Sequence, residues 1–369
     1  MKVSFSYLDR QFGDIDPYLE DIRELMKTGD LTLGKAVGEF EEKFAALNGA
    51  KYAVGVGTGT DALALPLKAL GVGPGDEVIT AANTFVATVG AIAMNRATPV
   101  YADIQEEYSI DPESIKAKIT EKTKAIMPVH WAGTPAPMEE IMQIAEEYNL
   151  KVVEDAAQGI LGKIAERHVS SFGAAAGFSL HPLKNLNVWG DGGVVLTNDE
   201  GMRDELRYLR NHGLEGRDTV VKWGHNSRLD SLHAVIGNRL IGETEFITNR
   251  RIEIAERYDR EIGSIKGVYL PPRDPRKKRV YHLYLFEVDY RDELYDYLLN
   301  AGIRAKIHYP IPMHLQPASK DLGYKEGDFP VTEAHCKRVI TLPAHQHLTD
   351  DEVTYVIEQV KKFYQKKNS

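Results

Sequence analysis

Short apolar runs rich in valine and isoleucine alternate with helix-like segments along much of the chain. The alternation predicts parallel strands joined by helical crossovers, because successive parallel strands need a long connection between them. The predicted strands cover residues 52–56, 77–81, 99–102, 125–129, 152–155, 177–180 and 193–197. The predicted helices among them cover residues 60–70, 85–95, 137–148 and 199–211. We therefore expect an α/β fold with a mainly parallel central sheet.

The rest of the chain predicts a second, smaller unit. A helix-like stretch covers residues 239–262, and a Pro-Pro turn at 271–272 precedes a strand near 281–288 and helices at 291–300 and 350–364. The chain has 369 residues, which exceeds what one hydrophobic core usually organises. We expect a large domain over residues 1–240 and a smaller C-terminal α/β domain over residues 241–369. The N-terminal segment is a candidate to pack on the small domain.

Composition narrows the class of protein. The formal net charge of -9 argues against nucleic acid as a partner. No apolar stretch approaches the roughly 20 residues of a membrane span, and the N-terminus has no signal-peptide pattern. The single cysteine, Cys336, permits no internal disulfide. We expect a cytoplasmic enzyme with neither nucleic acid nor membrane as a partner.

A glycine-rich turn, Gly55-Val56-Gly57-Thr58-Gly59-Thr60, joins the first predicted strand to a helix. Backbone N–H groups at a helix N-terminus bind anions, and glycine lets a phosphate approach closely. The dinucleotide pattern G-x-G-x-x-G fails because residue 60 is threonine, and the Gly-Lys-Ser/Thr of a P-loop is missing. A single phosphate is the better fit for this turn.

One lysine and one aspartate stand out as chemical groups. Lys184 lies in a polar, glycine-flanked turn between two apolar runs and is the best candidate for covalent chemistry. Asp155 ends a predicted buried strand, where open α/β sheets present groups to ligands. An isolated aspartate there is more often a helix cap. Together the acid and the lysine suggest a pyridoxal phosphate site.

Several motifs in a fixed order resemble the DegT/DnrJ/EryC1/StrS sugar aminotransferases, which are pyridoxal phosphate enzymes of the aspartate aminotransferase fold (fold type I). The matching motifs are Phe40-Glu41 and residues 57–63, 83–85, 154–158, 179–193 and 224–230. The similarity extends over nearly the whole chain. It implies fold type I, pyridoxal 5′-phosphate as cofactor, and transfer of an amino group.

The resemblance also implies a role for each matching residue. Lys184 is the implied Schiff-base lysine, with a lowered pKa, and Asp155 is the implied partner of the pyridine nitrogen. The other implied cofactor-binding residues are Gly59, Thr60 and Ser179 at the phosphate, Phe85 on the ring, Gln158 at the 3′-oxygen, and Asn226 at the phosphate of the neighbouring subunit. Asn226 thus implies a homodimer with shared active sites. Considered alone, Phe85 fits core packing, Gln158 a surface and Asn226 a turn.

The implied reaction and substrate follow from details of these motifs. Lys184 favours transamination over the family's dehydratases, which carry histidine at this position, and His181 is expected to be structural. Gln158 and the segment 181–193 resemble members that aminate C3 of a dTDP-linked 3-keto-6-deoxyhexose, with glutamate as the donor. The segment 129–133 departs from those members. A 4-keto nucleotide sugar and a free 8-keto-3-deoxyoctulosonate therefore stay open, as do a non-transaminating enzyme and a catalytically silent cofactor-binding protein.

Four further residues are candidates for substrate contact: Arg228, His308, Tyr309 and His314. The last three lie in residues 306–314, which resemble the family segment that folds over the substrate. Ordering of a proline-rich connection explains that loop equally well. Arg228 would neutralise a substrate anion, and a solvent-facing salt bridge is its alternative. We expect no metal site.

Overall fold

The structure is a computed structural model and describes residues 1–367. Its helices are α1 (Leu8–Gln11), α2 (Asp16–Thr28), α3 (Lys35–Leu47), α4 (Gly59–Ala69), α5 (Val86–Met94), α6 (Pro112–Lys118), α7 (Met138–Glu147), α8 (Glu200–Arg210), α9 (Ser231–Leu240), α10 (Thr244–Ile262), α11 (Arg291–Asn300), α12 (Pro330–Arg338) and α13 (Asp350–Lys367). Among these residues, no helix combines the length and the apolar character needed to span a membrane.

A seven-stranded sheet forms the centre of the larger part of the molecule. Its strands are β1 (Tyr52–Val56), β2 (Glu77–Ala81), β3 (Thr98–Ala102), β4 (Thr123–Met127), β5 (Lys151–Asp155), β6 (Ala175–Ser179) and β7 (Gly193–Thr197). They lie in the order β1-β7-β6-β5-β4-β2-β3. Strand β7 is antiparallel to both of its neighbours, and the remaining pairs are parallel. The prediction of a mainly parallel sheet is confirmed.

Local sequence explains why these elements form where they do. All five residues of β7 are buried, as expected for a continuous apolar run in a sheet covered on both faces. Helix α8 begins after Asp199, whose carboxylate accepts the N–H of Met202 at 2.6 Å. Its buried residues Met202, Leu206 and Leu209 recur at helical spacing. The helix therefore packs one apolar stripe against the sheet.

A smaller antiparallel sheet organises the C-terminal part. It consists of β8 (Val268–Tyr269), β9 (Tyr284–Val288) and β10 (Val339–Leu342), in that order. Its core takes residues from α10, α11 and α13 and includes the N-terminal Val3, which pairs with Ile303. These contacts fit a division of the chain near residue 240 with the N-terminus on the small unit. That division stays a prediction.

The single helix expected over residues 239–262 is wrong. Helix α9 already begins at Ser231, and a short 3₁₀ turn, Ile241–Glu243, separates it from α10. The hydroxyl of Thr244 donates to the carbonyl of Ile241 at 2.8 Å, and Gly242 within the turn has low helix propensity. Both features interrupt the regular helix. Helix α10 then carries residues of both the larger and the smaller core.

Candidate active site

A cavity of about 410 Å³ lies where the carboxyl ends of β5 and β6 face the smaller sheet. Open α/β sheets bind ligands at this edge. The larger part contributes Thr58, Gly59, Thr60, Phe85, Asp155, Gln158, Ser179 and Lys184 to the wall, and the C-terminal part contributes Arg251, His282, His308, Tyr309 and His345. The fold thus brings together most of the site residues that the sequence predicted.

The N-terminus of α4 forms one end of the cavity. The hydroxyl of Thr58 caps the helix by accepting the N–H of Asp61 at 3.0 Å. A Cβ added at Gly59 would lie 2.6 Å from the Cβ of Ser179, so only glycine lets the helix start approach the end of β6 this closely. Gly59, Thr60 and Ser179 therefore meet at a helix N-terminus, which is suited to an anion.

Lys184 lies on the cavity wall in the turn after β6. Its backbone is fixed on both sides, because its N–H donates to the carbonyl of His181 at 2.8 Å and its carbonyl accepts the hydroxyl of Tyr7 at 2.9 Å. Desolvation lowers the pKa of the Lys184 amine to about 8, against the opposing charge of Asp155. The neutral amine is therefore more accessible near pH 7 than that of an ordinary exposed lysine.

Asp155 is buried at the end of β5. Its Oδ2 accepts the hydroxyl of Thr88 at 2.7 Å, and its Oδ1 accepts the N–H of Ala157 at 3.1 Å. Burial raises the pKa of Asp155, while Thr88, Ala157 and the charge of Lys184 oppose that rise. Among residues 1–367 no side-chain cation lies within 4.0 Å of this carboxylate. Asp155 is thus a buried acid in position to receive a cationic ligand group.

The side walls are aromatic and amide groups. Phe85 precedes α5, remains 47 % exposed, and lies with its ring centroid 6.0 Å from that of Tyr309. Tyr309 in turn packs 5.6 Å from the ring of Trp131. The Oε1 of Gln158 accepts the N–H of Ala132 at 2.6 Å, which fixes the side chain beside the cavity. These groups are suited to a flat ring with polar edges.

His308 and Tyr309 present neutral polar groups to the cavity. Burial lowers the pKa of His308 to about 4 and raises the pKa of Tyr309 to about 12. His308 Nδ1 lies 2.9 Å from the hydroxyl of Thr341, which orients the ring. Near pH 7 both side chains are therefore uncharged and able to hydrogen-bond ligand hydroxyls.

Three predicted site residues do not line the cavity of this chain. His314 is buried in a 3₁₀ turn with its Nε2 3.0 Å from Glu333 Oε1, and its ring does not reach the cavity wall. Arg228 donates to Asn211 Oδ1 at 3.0 Å. Asn226 is exposed, which is the placement needed by a residue that serves a neighbouring subunit.

The sequence analysis missed other wall and support residues: Tyr7, Thr88, Arg251 and His282. The sequence does indicate that Arg251 is unusual, because it lies on the apolar face of α10 between Ile247 and Ile254, where a charged residue is not expected. Thr88 left none, since a threonine in an apolar helix is ordinary. Its role depends on the position of α5 relative to β5.

Comparison with known proteins decides the family. The sequence pattern of the DegT/DnrJ/EryC1/StrS aminotransferase family matches residues 15–361. The chain belongs to this family. The matched range contains every predicted site residue, so the family assignment and the geometry concern the same part of the chain.

Individual relatives resemble this aminotransferase over nearly their full length. The chain is 40 % identical over 351 residues to the dTDP-3-amino-3,6-dideoxy-alpha-D-galactopyranose transaminase of Aneurinibacillus thermoaerophilus, covering 94 % of this chain and 96 % of the relative. It is 39 % identical over 368 residues to a pleiotropic regulatory protein of Geobacillus stearothermophilus, covering 99 % of each. The solved structure of S. venezuelae DesV with a ketimine intermediate superposes with a TM-score of 0.96 at 35 % identity, covering 98 % of each chain.

The protein is a pyridoxal-phosphate-dependent sugar aminotransferase. Its residues fit that cofactor. The close approach at Gly59 forms an anion cradle, Asp155 is a buried carboxylate with no side-chain cation within 4.0 Å among residues 1–367, and Lys184 is an amine of lowered pKa. The cradle would hold the phosphate, Asp155 the pyridine nitrogen and Lys184 the aldehyde carbon. When bound, the cofactor supplies an electron sink for the carbon that loses a proton.

Replacing Thr88 by Val tests how far the aminotransferase depends on support of Asp155. The change removes the hydroxyl that donates to Oδ2 of Asp155. Its loss raises the pKa of Asp155 further and so destabilises the ionised carboxylate. Hydrogen bonds to charged groups contribute about 1.5–3 kcal/mol, so we expect turnover to fall roughly 10-fold or more. Thr88→Ser keeps the donor and should stay close to wild type in a turnover assay. Equal losses in both variants would assign the effect to packing.

Labelling of the cofactor-free protein tests the environment of Lys184. Only a neutral amine reacts with acetic anhydride, and desolvation disfavours the charged form of Lys184. Its acetylation, followed by mass spectrometry of the Lys184 peptide, should therefore rise with pH through about 8 and level off above that pH. A rise centred near 10.4, the ordinary value for a lysine, would contradict the desolvated environment.

Proposed function

We propose that this aminotransferase transfers the amino group of glutamate to a nucleotide-linked, dTDP-type 3-keto-6-deoxyhexose, in the cytoplasm, for amino-sugar and surface polysaccharide biosynthesis. The observation that carries the proposal is the single cavity that joins Lys184, Asp155 and the anion cradle of Gly59, Thr60 and Ser179. The printed name of the Aneurinibacillus relative, a dTDP-3-amino sugar transaminase, supports the choice of sugar.

The residues of this chain divide the work of amino transfer. The neutral amine of Lys184 would accept a proton from the carbon that bears the amino group and would return it to C4′ of the bound cofactor, on the other side of the shared nitrogen. Asp155, held by Thr88, stabilises a positive charge at the ring nitrogen. His308 and Tyr309, both neutral, offer hydrogen bonds to sugar hydroxyls. Phe85 borders the same space with apolar surface, and Trp131 packs against Tyr309.

Gln158 supports amination at C3 rather than C4. Its amide oxygen is fixed by the N–H of Ala132, so its orientation beside the cavity is set by the protein. The neighbouring His130, in the segment that departs from the C3-aminating members, is buried with Nε2 3.1 Å from Glu154 Oε2. Its Nδ1 accepts the N–H of Ala136, so the ring has no free position for a sugar. That departure therefore weighs little against a 3-keto substrate.

The test of this function is a spectrum of the purified holoenzyme with glutamate, followed by mass spectrometry after incubation with a panel of keto-sugars. The panel contains dTDP-3-keto and dTDP-4-keto-6-deoxyhexoses and free 8-keto-3-deoxyoctulosonate. We expect glutamate to bleach the cofactor band and the dTDP-3-keto sugar to gain an amino group. Amination of another sugar would replace the substrate, and an unresponsive band would reject glutamate as the donor.

We also propose a homodimer in which Asn226 of each subunit contacts the cofactor phosphate held by the other. The exposed position of Asn226, outside its own cavity, supports this arrangement. Asn226→Asp places a negative charge beside the phosphate and should speed cofactor loss on dilution, measured by absorbance. Asn198→Asp, which adds the same charge at another exposed position, is the matched control.

Mixed dimers distinguish a shared site from a site within one subunit. A dimer of one Lys184→Ala subunit and one Asn226→Asp subunit contains one cavity with both natural residues only if Asn226 acts across the interface. We expect co-expression of differently tagged subunits to restore tight cofactor retention in that cavity. Retention equal to that of the Asn226→Asp homodimer would reject the shared site.

A further inference from the structure

A buried arginine in the cavity wall has no carboxylate partner among the residues that the structure describes. Arg251 is 2 % exposed and is the one arginine among the described residues that line the cavity. Its Nε lies 3.2 Å from Gln346 Oε1, and its Nη1 lies 3.3 Å and 3.1 Å from the carbonyls of Tyr281 and His282. Its Nη2 has no hydrogen-bond partner within residues 1–367.

The partners of Arg251 are all neutral groups: the Gln346 amide, two backbone carbonyls and the hydroxyl of Tyr7. In the part of the chain that the structure describes, no carboxylate lies within 4.0 Å of its guanidinium. A buried arginine normally has a counter-ion, because removing a charge from water without one is unfavourable. Burial accordingly lowers the pKa of Arg251 from its usual value, although an arginine remains charged near pH 7. The site is thus arranged for an anion that the protein itself does not provide.

Arg251 lies one side chain away from the reacting lysine. Its guanidinium carbon lies 5.3 Å from the centroid of the Tyr7 ring, and the Tyr7 hydroxyl donates to the carbonyl of Lys184 at 2.9 Å. Burial is the main cause that lowers the pKa of His282, and the positive charges of Lys184 and Arg251 lower that pKa further. Lys184, Arg251 and His282 also line the same cavity, so one ligand bound there meets both cationic side chains.

The preceding residue shows what a structural arginine looks like on the same helix. Arg250 makes ion pairs with Glu253 at 3.2 Å and Asp350 at 2.6 Å, and does not line the cavity. Arg250 and Arg251 thus differ in whether a carboxylate of the described residues pairs with the guanidinium. One is satisfied by the protein's own carboxylates, and the other presents an unpaired N–H group in the wall of the active site.

We propose that Arg251 binds a carboxylate of the amino-donor amino acid and so positions the donor amine at Lys184. The planar guanidinium fork matches a carboxylate in two parallel hydrogen bonds, which fixes the donor's orientation as well as its affinity. This assignment rests on the proposed function, in which glutamate is the donor. It predicts that Arg251 serves the first half of the reaction and has little part in binding the keto-sugar.

The test measures the two half-reactions of the holoenzyme separately in Arg251→Gln, Arg251→Lys and the matched control Arg250→Gln. Rapid-mixing absorbance gives the apparent Kd for glutamate in one direction and for the keto-sugar in the other. Loss of a charge-assisted pair predicts a glutamate Kd roughly 10-fold to 100-fold higher in Arg251→Gln, since such bonds contribute about 1.5–3 kcal/mol. The sugar half-reaction and the Arg250→Gln variant should stay close to wild type.

Titration with glutarate, a dicarboxylate without an amine, gives a readout that needs no amino transfer. We expect wild type to bind glutarate, Arg251→Lys to bind it more weakly and Arg251→Gln to lose most of the binding by calorimetry. Equal weakening of both half-reactions, a loss confined to the sugar, or unchanged glutarate binding would each overturn the assignment to the donor. Arg251→Lys keeps the buried charge. If Arg251→Gln does not fold, glutarate binding by Arg251→Lys tests whether the guanidinium binds the donor carboxylate.

The glutarate titration also separates this inference from the proposed donor. A wild type that glutamate does not convert rejects glutamate as the donor, whereas glutarate binding that depends on Arg251 would still support a carboxylate site. A wild type that binds no glutarate rejects the carboxylate site. Conversion by glutamate with an unchanged Kd in Arg251→Gln rejects the role of Arg251 and leaves the aminotransferase activity intact.

Discussion

Replacement of Lys184 by Ala is expected to abolish amino transfer. The change removes the amine that would bond the cofactor and the only group we assign to moving the proton. A positioned acid–base group alone contributes about 10²–10⁴-fold, so we expect turnover to fall by roughly 10⁴-fold or more once the covalent role is also lost. The measurement is the rate at which glutamate and the keto-sugar form the amino sugar.

Two comparisons separate chemistry from folding in this variant. Lys151→Ala removes an exposed lysine from the start of β5 and should leave turnover unchanged. Added methylamine, which supplies a free base in the emptied space, should restore part of the activity of Lys184→Ala. A variant that keeps more than a few per cent of wild-type turnover without added amine would exclude Lys184 as the essential base.

Asp155→Asn should leave the cofactor bound but nearly stop its chemistry. The amide keeps the size and one acceptor of the carboxylate, and loses the charge that stabilises a protonated ring nitrogen. A charge pair at 4 Å in an effective dielectric of 20 contributes about 4 kcal/mol before desolvation, equivalent to roughly 10³-fold in rate. We expect a fall of about that size in turnover, with the cofactor absorbance band retained.

Asp199→Asn is the matched control for that variant. Asp199 also follows a strand, β7, and caps α8 through its carboxylate, a role that asparagine fulfils equally well. It should therefore keep wild-type turnover and stability. Turnover of Asp155→Asn within a few fold of the control would show that the carboxylate does not act on the ring nitrogen.

Much of the fold is readable from the sequence, because strands buried on both faces are continuous apolar runs. The bounds of β1, β2 and β7 agree with the predictions made for residues 52–56, 77–81 and 193–197. Their direction is not readable in the same way. An apolar run is the same in either orientation, so the antiparallel placement of β7 depends on the connection through the Lys184 turn, residues 180–192, which forms no crossover helix.

The site residues likewise fall into those that local sequence predicts and those that it does not. Lys184 and Asp155 follow strands and lie in distinctive local sequence, so their neighbourhood at one sheet edge was predictable. Thr88 and Tyr7 reach the same place from α5 and from the N-terminal segment, through contacts of residues far apart in the chain. No local pattern encodes such a contact, because it depends on how whole elements pack.

The pairing of β1 with β7 has a consequence for biosynthesis. Tyr52 lies opposite Thr197 and Val56 opposite Gly193, so β1 leaves the ribosome long before the strand that completes its ladder. At the usual 5–20 residues per second, the wait is on the order of ten seconds. During that time an apolar strand has an unpaired edge, which is a template for association with other nascent chains. Assembly of the anion cradle next to β1 is consequently a late event in the synthesis of the chain.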